Sequence, residues 1–176
     1  MMIRRIENIR DVQIIYSSIQ MGIVEKSFTD IDMMDTLRLI SSSKIQFFIL
    51  ENNNNVVAFG SIKDKYEIHK VYVVPIYRNK GYGKTITLWL ADRIIKKNKV
   101  IPTEWIKSAN TKWNKAQKEL GMVMDDKDSY CDVNRYNLVN LEKYVEAYKK
   151  YKISDIQVKK YTKPESFRYE YRYDSE

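Results

Sequence analysis

Apolar residues recur at spacings of three and four from Ile9 through Val12, Ile15 and Ile19 to Ile23, which predicts a helix over about residues 8–23 with one apolar stripe. A short strand, 3–7, precedes it. Cap-type residues Thr29, Asp30 and Asp32 lead into a second short helix, 33–42. Residues 45–51 form a compact β-rich run. Asn52 to Asn55 then read as a hairpin turn, because Asn tolerates positive φ better than most residues. Strands 56–63 and 66–74 follow, and Pro75 ends the second, since it cannot continue a ladder. From 83 to 97 the pattern is helical again, with Ile86, Trp89, Leu90, Arg93 and Ile94 on one face. A strand at 100–106, a helix at 111–120 stopped by Gly121, and strands at 122–124 and 135–139 complete the series. The order β-α-α-β-β-β-α-β-α-β-β mixes hairpins with helical crossovers. It predicts an α/β mixed sheet with helices on both faces.

The last 36 residues, 141–176, stand apart. Residues 141–152 read as a charged amphipathic helix with Leu141, Tyr144, Val145 and Tyr148 on one side. Phe167, Tyr169, Tyr171 and Tyr173 then alternate with Arg168, Glu170, Arg172 and Asp174, the period of a strand with one aromatic face. Such a strand can cover a sheet edge, dock on a partner subunit or stack on bases. The expected organisation is a domain over 1–140 and an extension over 141–176, packed on that domain or on a partner, with a homodimer as one form of the latter.

Composition narrows the class. No apolar run approaches the roughly 18 residues of a membrane span, and residues 1–7 lack the apolar stretch of a signal peptide. Cys131 is the only cysteine, which points to a reducing cytoplasm, and one cysteine with one histidine leaves no structural zinc cluster, so no metal is expected. The formal charge is +8, unevenly spread: between Arg93 and Lys118 eight lysines and arginines face Glu104 alone. A surplus of this kind draws anionic ligands, though a solvated helix face reads the same way.

The chemistry concentrates in residues 71–85. A strand runs into Pro75, a basic turn with Arg78, Asn79 and Lys80, two glycines at 81 and 83 separated by Tyr82, and a helix opened by Lys84 and Thr85. Glycines admit the backbone close to a pyrophosphate, successive N–H groups point at its oxygens, and the helix N-terminus adds positive partial charge. A basic strand-to-helix turn with no ligand is the plain alternative. Two other phosphate motifs fail on a required glycine. A Walker A loop ending in Gly83-Lys84-Thr85 needs glycine where Arg78 stands, and the dinucleotide fingerprint needs it where Ile86 stands.

The stretch from Glu67 to Gly83 resembles the acyl-CoA signature of the GNAT superfamily, V-x-P-x-x-[R/Q]-x-x-G-x-[G/A], and matches it at each fixed position from Val73 onward. Asn110 with Leu120-Gly121-Met122 resembles the family's second block. The resemblance covers about residues 1–140. It implies a mixed, mostly antiparallel sheet flanked by helices, here with a C-terminal helix-strand extension, and an N-acetyltransferase using acetyl-CoA. It further implies that the strand ending at Val73 splays from its neighbour, so that main-chain groups of Tyr72, Val73 and Val74 bond the pantetheine. Arg78, Asn79, Lys80, Gly81, Tyr82, Gly83 and Lys84 would hold the pyrophosphate with Thr85 close by, and Asn110 would meet the pantetheine arm. Glu67 stands where many relatives keep the carboxylate that takes the amine's proton; His69, two residues on, is the second candidate base. Glu67 reads equally as a strand carboxylate paired with a lysine.

Two departures bear on mechanism. Trp113 stands where the family often has alanine, and Gln117 where it often has a tyrosine that protonates the leaving thiolate; glutamine cannot act as an acid. Either the thiolate leaves unassisted or through water, or Tyr130 or Cys131 reaches in, or the chemistry has drifted. The expected acceptor is an amine of a small molecule or protein. Action on nucleic acid, favoured by the basic window and the Tyr/Arg tail, and non-catalytic acyl-CoA binding are the alternatives.

Overall fold

The computed structural model describes residues 1–28, 30–128 and 132–160. The proposed aromatic strand at 167–174, and Tyr130 and Cys131, lie outside these residues. Strands β1 (Met2–Arg5), β2 (Ile45–Asn52), β3 (Asn55–Lys63), β4 (Glu67–Val73), β5 (Thr103–Lys107), β6 (Met122–Asp128), β7 (Val133–Leu138) and β8 (Gln157–Val158) form one sheet in the order β6-β7-β5-β4-β3-β2-β1-β8. Helices α1 (Ile9–Val24), α2 (Met33–Ser41), α3 (Tyr82–Asn98), α4 (Thr111–Glu119) and α5 (Leu141–Lys150) flank it. The pairs β1–β8 and β4–β5 are parallel and the others antiparallel, so the sheet is mixed and mostly antiparallel.

Local chemistry explains the elements. The β2–β3 hairpin turns on Asn53 and Asn54 with φ of 49° and 62°, the left-handed pair that a two-residue turn between twisted strands needs. The predicted stripe of α1 is shifted, however. Ile15 and Ile19 are buried, but Ile9 is 47% exposed. The first turn buries Asp11 instead, because Arg4 of β1 grips its carboxylate with two hydrogen bonds of 2.6 and 2.9 Å and reaches Glu51 of β2 at 2.7 Å. Arg4 holds Asp11 below its ordinary value against the opposing effect of burial.

Each face of the sheet carries its own core. On one, Ile15, Ile19 and Phe28 pack with Phe47, Ile49, Phe59 and Tyr72. On the other, Ile86, Leu90 and Ile94 of α3 lie on Phe48, Leu50, Ala58 and Ile68, joined by Tyr144, Ala147, Ile153 and Ile156. Those last four belong to the segment after residue 140. Helix α5 thus seals the α3 face, and β8 then adds a short parallel strand beside β1, covering that sheet edge.

The link from α4 to the segment after residue 140 rests on Gly121. It ends α4 with φ of 82°, and its carbonyl accepts the N–H groups of Val139 (3.2 Å) and Asn140 (3.0 Å), just before α5. A Cβ there would sit 2.4 Å from the Asn140 carbonyl oxygen. Gly121→Ala therefore combines left-handed strain with a backbone clash. In urea unfolding it is expected to cost ~3 kcal/mol, the upper end for a strained backbone site; a change within experimental error would refute this role.

Candidate active site

Strands β4 and β5 pair only at Glu67–Thr103 and Ile68–Glu104, with the Thr103 N–H reaching the Tyr66 carbonyl at 3.0 Å. Beyond that vertex β4 stays with β3 and β5 with β7, so the two strands part as a V. A cleft of about 1000 Å³ runs along the opening.

The V leads to the start of α3. Helices α1, α2, α4 and α5 begin at Asn8, Asp32, Asn110 and Asn140, each accepting the N–H three residues on. Helix α3 begins at Gly81, which has no side chain to do this. The N–H groups of Tyr82, Gly83 and Lys84 are consequently left without helical or cap partners, facing the cleft end, where the helix dipole is positive. Glycine is required at 81, where φ is 86° and a Cβ would press on the Tyr151 ring at 3.1 Å. At Gly83 a Cβ would reach ordinary contact with both Trp113 and Val73, so any larger side chain would fill the space ahead of the helix. Uncapped N–H groups at the positive end of a helix suit an anion such as a diphosphate.

Of the predicted residues, Glu67, His69, Tyr72, Val73, Arg78, Asn79, Gly81, Tyr82, Gly83, Lys84 and Asn110 line this single cleft. Val74, Lys80 and Thr85 do not. The Val74 N–H is spent on the Val57 carbonyl (3.0 Å), the Thr85 hydroxyl turns back to Gly81 O (3.1 Å), and Lys80 lies over the Tyr77 ring. Two cations act within the protein. Arg78 donates from Nε to Val73 O and from Nη2 to both oxygens of Glu25, tying the turn to the end of α1. Lys84 pairs with Glu119, which also accepts from Lys150 (2.8 Å) and Tyr151 (2.9 Å); Lys150 and Lys84 together hold Glu119 at about 2. The segment after residue 140 therefore reaches the start of α3.

The two candidate bases differ. Glu67 is 8% exposed; burial raises its carboxyl above the ordinary range, against the pull of Lys63, whose Nζ is 3.8 Å away. His69 has a buried Nδ1 without a partner, and burial, with Lys70 and Lys63, pushes it down to about 3. It stays neutral and is the weaker base. Sequence reasoning missed a third group, Glu104, which also lines the cleft and is 4% exposed. Its Oε1 accepts the Trp113 indole N–H at 2.9 Å, and its Oε2 has no partner. Burial pushes it up to about 7. Gln117 is fully buried beside it, without a well-formed hydrogen bond. One signal was available: a lone carboxylate in a basic run, on a strand whose alternation turns Glu104 and Ile106 inward. Among the described residues no acidic, histidine and cysteine cluster could hold a metal.

The model of the acetyltransferase (GNAT) family matches residues 15–120. The chain belongs to that family. No curated protein matches it in sequence. Among solved structures, spermidine N-acetyltransferase from Vibrio cholerae, in complex with CoA and spermine, is similar with a TM-score of 0.63 at 15% identity, over 81% of this chain and 96% of that one. YncA from Salmonella typhimurium, with its cofactor acetyl-CoA, gives 0.61 at 18% identity over 78% and 90%. The ribosomal-protein-S18-alanine N-acetyltransferase from Escherichia coli gives 0.58 at 15% over 77% and 89%. At these identities the likeness is one of fold.

Glu104 has a consequence for stability. Its folded value of about 7 lies above that of an unfolded glutamate, so between roughly pH 4.5 and 7 the folded chain holds a proton that the unfolded chain has released. Stability from this group is full below that window and falls as pH rises through it. Glu104→Gln is expected to gain in melting temperature over the parent between pH 5 and pH 8. Parallel pH dependences for the two proteins would contradict the assignment.

Proposed function

We propose that this member of the acetyltransferase (GNAT) family moves an acetyl group from acetyl-CoA to a primary amine of a small molecule or protein by direct attack. The observation that carries the reading is the continuity of one cleft, from the uncapped start of α3 along the β4–β5 opening to Glu67. The V exposes main-chain groups of β4 that point away from β3, such as the Val73 N–H, to a pantetheine arm, and the bare start of α3 at Gly81–Lys84 suits its diphosphate. The named acceptors of the V. cholerae and E. coli proteins, a polyamine and a protein alanine, are amines too.

When bound, acetyl-CoA supplies the thioester acyl group. The chain supplies the proton transfers. An attacking amine must be neutral, and Glu67, half-tied to Lys63 and raised by burial, takes its proton at a carboxylate oxygen. Gln117 has no proton to give. Glu104, directly beside it, holds one at Oε2 near neutral pH, because Trp113 already donates to Oε1. That proton serves the departing sulfur. The two carboxyls thus divide the roles of base and acid, each raised by its own environment.

The acceptor reading on nucleic acid gains no support. Within the basic window Lys96 is paired with Asp92 at 2.8 Å, and Lys112 and Lys115 line the cleft mouth. The single cysteine keeps the cytoplasm as the expected location, and among the described residues no helix is long and apolar enough to cross a membrane.

The reading is tested by thiol release from acetyl-CoA in the presence of an amine. Glu67→Gln is expected to lower kcat/KM roughly 10²-fold. Glu104→Gln should cost less and remove a fall in kcat above pH 7, since the parent loses its acid as Glu104 ionises. Gln117→Ala should cost least. An unchanged rate in Glu67→Gln would take this residue out of the mechanism.

A further inference from the structure

The cleft has a second half, on the face of the sheet opposite α3, where the acceptor would enter. Phe28, Lys63, Glu67, Lys70, Trp105 and Lys107 line it. Lys63 and Glu67 face each other across the β3–β4 register, and Lys70 lies 4.9 Å from the centre of the Phe28 ring. The charge balance here is lopsided. Lys63 and Lys70 act on the Glu67 carboxylate, which Lys63 engages at 3.8 Å, and Lys107 adds a third ammonium group beside Lys70. Lys70 and Lys107 have no ion-pair partner among the described residues, yet Lys63 and Lys107 both act on the Lys70 charge. Burial, then these neighbours, push Lys70 down to about 8, with only Glu67 opposing.

Crowded, poorly solvated cations in a groove are costly to keep and are relieved by an incoming anion. A polycation would meet repulsion from the same groups. Two aromatic side chains, Phe28 and Trp105, wall a space that favours a compact ligand over an extended polar chain.

We propose that the acceptor is a small amine carrying a carboxylate or phosphate within a few bonds of its amino group, with the anion held between Lys70 and Lys107 and the amine turned toward Glu67. The inference rests on the acetyl-transfer reading. In the reaction the amine nitrogen bonds the acetyl carbon and the carbon–sulfur bond breaks. Glu67 takes the proton lost by nitrogen, and the sulfur takes the proton held by Glu104.

The test is steady-state thiol release with full-length protein, acetyl-CoA and matched acceptor pairs. Common amino acids are compared with their amides, phosphorylated amines with the parent amino alcohols, and spermidine serves as the polycation. The expected result is a preference of at least roughly tenfold in kcat/KM for the anionic member of one pair type, with spermidine slower still. Whether the carboxylate or the phosphate pairs show it identifies the anion. Lys70→Gln and Lys107→Gln, made separately, should each bring that ratio toward one. Neutral amines or spermidine turned over as well as the anionic acceptors would overturn the proposal, as would a ratio unmoved in both variants. Calorimetry separates the two levels: acetyl-CoA binding with no turnover of any pair overturns the acceptor class alone, whereas no acetyl-CoA binding overturns the acetyl-transfer reading and this inference with it.

Discussion

The site depends on the brevity of one strand pairing. β4 and β5 touch at Glu67–Thr103 and Ile68–Glu104 and then separate, because each has a better partner on its other side. Pro102 has no N–H to extend the ladder backward, and its carbonyl is taken by the Leu138 N–H, which anchors β5 to β7. The vertex carries a carboxyl from each strand, Glu67 and Glu104. The open limbs leave strand edges unpaired inside the molecule. Unpaired main-chain groups away from water are costly, and a ligand that bonds them recovers that cost.

Electrostatics sort the cleft lengthwise. At the α3 end the positive potential comes from main-chain N–H groups, while nearby side-chain cations such as Arg78 and Lys84 are neutralised by Glu25 and Glu119. A fixed dipole survives where mobile charges are cancelled, which favours a defined geometry over loose attraction. At the other end the excess lies in ammonium groups around Glu67. Glu104 sits between, dry and about half protonated at pH 7. The segment after residue 140 belongs to this arrangement as well as to the core, because Lys150 and Tyr151 complete the setting of Glu119 beside the start of α3.

Much of the fold was legible in sequence. Periodicity placed the strands and helices to within a few residues, since amphipathic faces, Asn-rich turns and Gly121 act locally. The stripe of α1 failed at Ile9 because Arg4, distant along its own face and on another element, claims Asp11 for the interior. Most residues that the family motif singles out line one cleft, while Val74, Lys80 and Thr85 do not: the Val74 N–H bonds β3, the Lys80 ammonium lies over Tyr77, and the Thr85 hydroxyl bonds Gly81. Glu104 stayed hidden for the opposite reason. It is buried against Trp113 and beside Gln117, side chains of the next helix, which the residues around Glu104 in the sequence do not announce.

The central claim is that the β4–β5 opening and the bare start of α3 form one acetyl-CoA site. Amide-resolved NMR of the ¹⁵N-labelled protein during acetyl-CoA titration tests it most directly. The account predicts saturable shifts concentrated at Tyr82, Gly83 and Lys84 and along Val71–Val73, with β1, β2 and α2 unmoved. Shifts absent from the α3 start, or spread over the surface lysines without saturation, would contradict it.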